Sequence, residues 1–168
     1  MPTSADHHFR FNLDPAIRDQ LIEKLKTSPK LPLTKNVGPV ESGLYLLYFK
    51  GALVYIGKAS KELTKSARDL KTRLNEHVSK LSGRQGIALA DMECQFLTFE
   101  SEWWVVAAEF AAINHFKPPW NGSGYGSKVQ GAGRPGMPGR VSKWNQMFPP
   151  LPKLSTQPKV VQKAKKKP

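Results

Sequence analysis

Apolar and polar positions divide this chain into segments of different period. Residues 10 to 26 place Phe11, Leu13, Ile17, Leu21, Ile22 and Leu25 at helical spacing, with Asn12 or Asp14 before Pro15 as a start signal, and predict an amphipathic helix laid on a core. Residues 27 to 42, with Pro29, Pro32 and Pro39, read as an extended connection. From Gly43 to Lys58 two runs of aromatic, aliphatic and β-branched residues flank Lys50-Gly51, the composition of a β-hairpin. Its tip decides the register. A two-residue loop pairs Phe49 with Ala52 and sets Tyr45 and Tyr55 on opposite faces. A three-residue loop, Phe49-Lys50-Gly51, pairs Tyr48 with Ala52 and Leu47 with Leu53 and stands Tyr45 opposite Tyr55.

Ser66-Ala67-Arg68-Asp69 has the order of a capping box with Asp in place of Glu, and a helix should follow, its buried stripe formed by Leu70, Leu74, Val78 and Leu81. Arg73 and His77, four apart, project together along one edge of that stripe. By themselves they are equally a solvated basic edge. Gly83-Arg84-Gln85-Gly86 breaks the helix, Met92 to Phe99 alternates as a third strand, and Ser101 can cap a helix from Glu102. From Trp103 to Ile113 every residue except Glu109 is apolar, so most of that helix's circumference is expected to be buried. A carboxylate on such a helix needs a cation, a metal or hydrogen-bond donors; the alternative puts Glu109 on the one exposed edge or beside an arginine. Pro118-Pro119 ends the helix.

Composition sharpens this picture. A chain of 168 residues, 39% hydrophobic, holds one domain with a real core. Its formal net charge is +13, from 26 Lys and Arg against 13 Asp and Glu, and no acidic residue follows Glu109. Such a field draws polyanions, nucleic acid first among them, though a basic solubilising tail gives the same charge. From Gly122 to Arg140 the segment is glycine-rich and reads as loop. Glycines allow close backbone approach, and Tyr125, Lys128, Arg134, Arg140 and Lys143 can reach phosphates or base edges. Ser142 to Phe148 forms a short helical turn, and Lys159 to Lys167 a disordered basic arm. Cys94 is the only cysteine, which excludes an intrachain disulfide and a cysteine metal cage and fits a reducing cytoplasm. The N-terminus lacks the order of a secretory signal, and no apolar run approaches a membrane span.

Gly43-Leu44-Tyr45 and, after nine intervening residues, Tyr55-Ile56-Gly57 resemble the paired motifs of the GIY-YIG nuclease superfamily. Arg73 with His77 one helical turn later, and Glu109 followed twelve residues on by Asn121, match the family's other two intervals. Leu44 replaces the motif's isoleucine, and the interval from Gly57 to Arg73 is long, implying an insertion before the catalytic helix. The resemblance implies a small α/β (α+β) domain: a three-stranded antiparallel sheet flanked by helices, with a basic glycine-rich C-terminal extension. It divides the chain into 1–42, a catalytic core at 43–121, a DNA-contact segment at 122–150 and a lysine-rich tail at 151–168. It further implies that Tyr45, Tyr55, Lys58, Arg73, His77, Glu109 and Asn121 form the active site, with Glu109 binding a single Mg²⁺ that Mn²⁺ could replace. Gly124-Tyr125-Gly126, Gly139-Arg140 and Ser142-Lys143-Trp144 look like the type II restriction endonuclease branch, whose members cut a GC-rich palindrome. That branch implies a homodimer on double-stranded DNA in the bacterial cytoplasm, with a cognate DNA methyltransferase encoded nearby. A homing or repair nuclease, or a non-catalytic basic nucleic-acid-binding protein on the same scaffold, are the alternatives.

Overall fold

Leu44 to Leu47 are buried on both faces, so this strand must be covered by helices on either side. In a computed structural model of the protein, which describes residues 13–61, 68–126 and 141–152, that strand is β2 (Gly43–Phe49), central in a four-stranded antiparallel sheet. Its neighbours are β3 (Ala52–Ala59) and β4 (Met92–Thr98); β1 (Leu31–Pro32) pairs with the far side of β4, giving the order β1-β4-β2-β3. The expected sheet had three strands. The fourth lies within the extended connection, and two residues paired with Cys94 and Glu93 carry no periodic signal.

The hairpin follows neither expected register throughout. Lys50 (φ 51°) and Gly51 (φ 78°) are both left-handed, as a two-residue type I′ loop requires, and Phe49 pairs with Ala52 and Tyr48 with Leu53. Val54 is then an extra residue: the next pair is Leu47 with Tyr55, and beyond it Tyr45 pairs with Gly57. One bulged residue flips every later side chain of β3, so Tyr45 and Tyr55 share a face although they are not direct partners. The bulge has a second consequence. Val54 O accepts a hydrogen bond from Trp120 N (2.8 Å), which ties the chain after the last long helix to the outer strand.

Helices α1 (Leu13–Thr27) and α3 (Glu102–Phe116) cover one face, where Leu21, Leu25, Ala108 and Ala112 pack on Leu44, Leu46, Tyr48, Ile56 and Leu97. A buried polar bridge joins α1 to the sheet: Tyr48 donates to Gln95 Oε1 (2.8 Å), and Gln95 Nε2 donates to Leu25 O (2.6 Å) and Ser28 O (2.7 Å). Helix α2 (Leu70–Ser82) covers the other face with the expected stripe of Leu70, Leu74, Val78 and Leu81. Its N-cap is Asp69, which accepts from Thr72 N (2.7 Å); Ser66 lies outside the described residues. The short α4 (Lys143–Met147), capped by Ser142, places Trp144 in the same core. Arg84 fastens it by donating to Asn145 Oδ1 (2.9 Å) and Phe148 O (3.1 Å) with its guanidinium over the Trp144 ring. The described ends of the glycine-rich segment thus belong to the core.

The expectation that α3 is buried around most of its circumference does not hold. Its contact with the sheet is a narrow stripe of Val105, Ala108, Ala111 and Ala112, small side chains that let the helix sit close. Trp103 is 71% and Phe110 68% exposed, and Val106 lies between them on the outer face. Ser101 occupies the N-cap position without a side-chain bond. The first turn is fixed instead by Glu102, which accepts from Ser42 Oγ, from Ser60 Oγ (2.6 Å) and from Lys61 N (2.6 Å). That knot joins the start of α3 to the end of β3, and so sets where Glu109 stands relative to Lys58.

Candidate active site

The hairpin, α2, α3 and the turn at 122–126 meet around β3, an edge strand. Tyr45 leaves β2 over Gly57: a Cβ at Gly57 would lie 2.5 Å from the Tyr45 hydroxyl oxygen and 2.8 Å from the Tyr55 ring, so only glycine admits the two phenols there. The Tyr45 and Tyr55 ring centroids are 6.1 Å apart, and His77 from α2 lies 5.2 Å from the first and 5.5 Å from the second. Tyr45 Oη is 2.8 Å from His77 Nε2. Arg73, one turn before His77, places its charge beside Tyr45 and is oriented by Glu76, to which it donates at 2.9 Å. Glu76 also accepts from Arg68 (3.1 Å). Sequence reasoning missed Glu76, although its spacing of three from Arg73 was the available signal.

Glu109 reaches the site from α3 and pairs through Oε2 with Lys58 Nζ of β3. Its cation is therefore Lys58, not an arginine, and the carboxylate is partly buried. Tyr55 feels the Glu109 charge, which connects the ion pair to the phenol side of the strand. Among the described residues no group of three or more His, Cys, Asp or Glu side chains gathers, and the carboxylate beside Lys58 that could serve a cation is that of Glu109. That donor set suits a hard divalent ion, which keeps several oxygen positions for water and phosphate.

Burial governs the protons. It raises the Tyr45 hydroxyl well above the ordinary phenol range, with Tyr55 adding and Arg73 opposing, and it raises Tyr55 and Tyr125 as well. Burial also lowers His77 to about 3, reinforced by Arg73 and Lys80, so its imidazole is neutral at ordinary pH. Lys80 is brought down to about 8 by burial and by Arg84 and Arg73, and its ammonium lies 4.2 Å from the Tyr125 ring centroid. The result is a guanidinium, a neutral imidazole and buried phenols beside an ammonium–carboxylate pair, an arrangement able to hold a phosphate oxygen and to hydrogen-bond a water.

Two expected site residues make bonds that had no sign in the sequence. Asn121 is bonded to the β3 backbone: its Nδ2 donates to Ile56 O (2.8 Å) and its Oδ1 accepts from Ile56 N (2.9 Å), so it completes the free edge of β3 as a missing strand would. Tyr125, expected on a DNA-contact loop, is fully buried, with its hydroxyl 2.5 Å from His77 Nδ1 and its ring against Tyr55, Trp120 and Trp144. A tyrosine between glycines gives no sign of burial; the aromatics that enclose it come from distant parts of the chain. Lys143 is exposed at the start of α4. Lys128, Arg134, Arg140 and the lysine tail lie outside the described residues.

A family model for the Eco29kI GIY-YIG domain matches residues 52–165, a range that takes in every expected site residue except Tyr45. Among solved structures, the chain is similar to the GIY-YIG N-terminal endonuclease domain of UvrC from Thermotoga maritima bound to its catalytic magnesium, at 23% identity over 51% of this chain and 89% of that one, TM-score 0.36. A point mutant of the same domain, bound to its catalytic divalent cation, aligns at 21% identity over 61% and 96% of the two chains, TM-score 0.34. No curated protein matches the chain.

Proposed function

The chain belongs to the Eco29kI GIY-YIG domain family, and from that membership we propose that it is a type II restriction endonuclease, hydrolysing DNA phosphodiester bonds at a specific, palindromic site. The observation that carries the reading is the convergence of Tyr45, Tyr55, Arg73 and His77 on one side of β3 with the Lys58–Glu109 pair beside them. A decayed, merely DNA-binding scaffold has no need to keep that set together.

In this reading Tyr45 acts as a phenolate, its own proton released to solvent at a cost that Arg73 and His77 lower, and takes the proton of the attacking water. Arg73 donates to a non-bridging phosphate oxygen, with Glu76 holding the guanidinium in place. Tyr55, at the mouth of the phenol cluster, positions the water or the phosphate. Lys58 holds the Glu109 carboxylate and contributes positive charge near the leaving oxygen. Glu109 is the residue that would hold a divalent cation, Mg²⁺ or Mn²⁺, which supplies charge stabilisation at the phosphate and leaving oxygen when bound. The UvrC domain's catalytic magnesium supports that choice of ion.

One such set addresses one scissile phosphate, so cutting both strands calls for two copies, and a homodimer on a palindrome supplies them. The exposed Trp103, Val106 and Phe110 on the outer face of α3 suit an interface between copies. Lys128, Arg134, Arg140 and Lys143 are the proposed DNA contacts, the bacterial cytoplasm the proposed setting, and a neighbouring DNA methyltransferase gene the expected genetic partner. Among the described residues no helix is long and apolar enough to cross a membrane. Incubating plasmid DNA with the protein and Mg²⁺ and sequencing the ends tests the proposal. Discrete ends at one symmetric sequence support it, random ends favour a non-specific nuclease, and uncut plasmid in Mg²⁺ and in Mn²⁺ sinks it.

A further inference from the structure

His77 is a neutral imidazole whose two nitrogens face two different phenols: Nδ1 faces Tyr125 at 2.5 Å and Nε2 faces Tyr45 at 2.8 Å. One nitrogen carries a hydrogen and the other is bare, so two arrangements compete. In the first, Tyr45 donates to a bare Nε2 and Nδ1–H donates to Tyr125. In the second, Tyr125 donates to a bare Nδ1 and Nε2–H donates to the Tyr45 oxygen. The surroundings of the phenols decide between them. Tyr125 is fully buried among the rings of Tyr55, Trp120 and Trp144, and His77 is its one hydrogen-bond partner among the described residues. Under the first arrangement its O–H has no acceptor among the described residues, a costly state for a buried hydroxyl. Tyr45 is placed differently. It has further polar neighbours: Tyr55, with ring centroids 6.1 Å apart, whose oxygen can take its proton, and Arg73, which can only donate. Tyr55 is 6% exposed while Tyr45 and Tyr125 are not exposed at all, so a chain of donors that starts at Tyr125 ends on the phenol nearest solvent or substrate.

We infer that Tyr125 is a positioning residue that acts through His77: its hydroxyl locks the imidazole as the Nε2–H tautomer, so that His77 donates to the Tyr45 oxygen instead of accepting its proton. The catalytic consequence rests on the nuclease reading. A Tyr45 that must take a proton from water does so as a phenolate, its own proton passed toward Tyr55 and solvent, and needs donors on its oxygen; with the lock in place it has two, Arg73 and His77. Without it, His77 is free to turn acceptor, an arrangement that requires Tyr45 to keep its proton. The position of Tyr125 at the head of the glycine-rich segment gives it a role in the chemistry rather than in DNA contact.

The test is long-range ¹H–¹⁵N correlation of the full chain labelled at histidine, with the His77 signals assigned by their loss in His77→Gln. The parent should show His77 protonated at Nε2 and bare at Nδ1. Tyr125→Phe keeps the ring stack and removes the hydroxyl. It should show a mixture of tautomers, with kcat for DNA cleavage down about tenfold, the weight of one hydrogen bond, and KM for DNA unchanged. A parent protonated at Nδ1 overturns the inference, and so does a Tyr125→Phe protein with the parent's tautomer and kcat. A raised KM at constant kcat also overturns it and makes Tyr125 a DNA contact. Should Tyr125→Phe fail to fold, the parent spectrum alone decides. If the tautomer shifts as stated but neither protein cuts any DNA, the lock stands and the nuclease reading falls.

Discussion

Asn121→Ala separates a structural asparagine from a chemical one. The substitution removes both partners of the Ile56 peptide: the Oδ1 that accepts from Ile56 N at 2.9 Å and the Nδ2 that donates to Ile56 O at 2.8 Å. Ile56 is fully buried on an edge strand, and the adjacent tie to that edge is Trp120 N on Val54 O. A buried backbone group left unpaired costs about 1–3 kcal/mol; allowing water partial access to the carbonyl, the two together come to about 2–4 kcal/mol. Urea unfolding should therefore show an unfolding free energy lowered by that much, read as a midpoint shifted by that value divided by an unchanged slope. The Ile56 amide, protected in the parent, should exchange with solvent far faster in the variant. Because β3 carries Tyr55, Gly57 and Lys58, cleavage per folded molecule should fall only severalfold, as the strand loosens without losing a reacting group. A variant as stable as the parent to within about 0.5 kcal/mol, yet unable to cut, would refute this reasoning and return Asn121 to the chemistry.

Glu109→Gln should bind DNA about as well as the parent in a filter or mobility assay and cut negligibly, since the carboxylate proposed to hold the metal is gone while the basic segment remains; near-parental cutting would place the metal elsewhere. Gly57→Ala puts a methyl 2.5 Å from the Tyr45 hydroxyl and should cost about 1–3 kcal/mol in thermal unfolding, with cleavage lost at temperatures where the protein is still folded; full activity would show that Tyr45 can move without consequence. His77 titrates near 6.5 when unfolded but at about 3 in the fold, so its contribution to stability is complete above about pH 6.5 and is lost as pH falls toward 3. Between pH 6.5 and 4.5, above the carboxylate range, the slope should approach ~1.4 kcal/mol per pH unit and flatten in His77→Gln; equal slopes in the two proteins would contradict a buried neutral imidazole.

What could be read from the sequence were elements whose signal is local. The α2 stripe repeats within thirteen residues, and the intervals Arg73 to His77 and Glu109 to Asn121 lie within or just after single helices, so both were visible without knowing any partner. The hairpin was visible too, but not the bulge at Val54. A bulge is an agreement between two strands, and its anchor, Trp120 N, arrives from the far end of α3. The same limit explains Asn121, whose interval marked it while its partner, the Ile56 peptide, offers no side chain to notice. It explains α3 as well. Composition counts apolar residues, whereas the fold asked only for a stripe of Val105 and alanines narrow enough to bring the helix down onto β2 and β3, and left Trp103 and Phe110 outside.

The partition of chemistry between the two sides of β3 follows from the same geometry. An inner strand has hydrogen-bonded neighbours on both edges, so groups on its two faces are kept apart; an edge strand has one open side around which they can meet. Tyr45 and Tyr55 stand on the α2 side of the sheet, with the core that holds α2, and Ile56 between them and Lys58 belongs to the α3 side. Lys58 and Glu109 can therefore join the phenols only around the open edge, and Tyr55 does feel the Glu109 charge there. That edge must be open to a phosphate yet not to another strand. Trp120 N on Val54 O and Asn121 on Ile56 close its middle, Arg68 N on Ser60 O closes its end, and the stretch between them is Gly57 to Ala59, where a glycine and a lysine line the approach. The distance of twelve residues from Glu109 to Asn121 acquires a physical meaning in this light. It is what α3 and its Pro118-Pro119 turn need to run from the carboxylate beside Lys58 back to the strand edge that the asparagine seals.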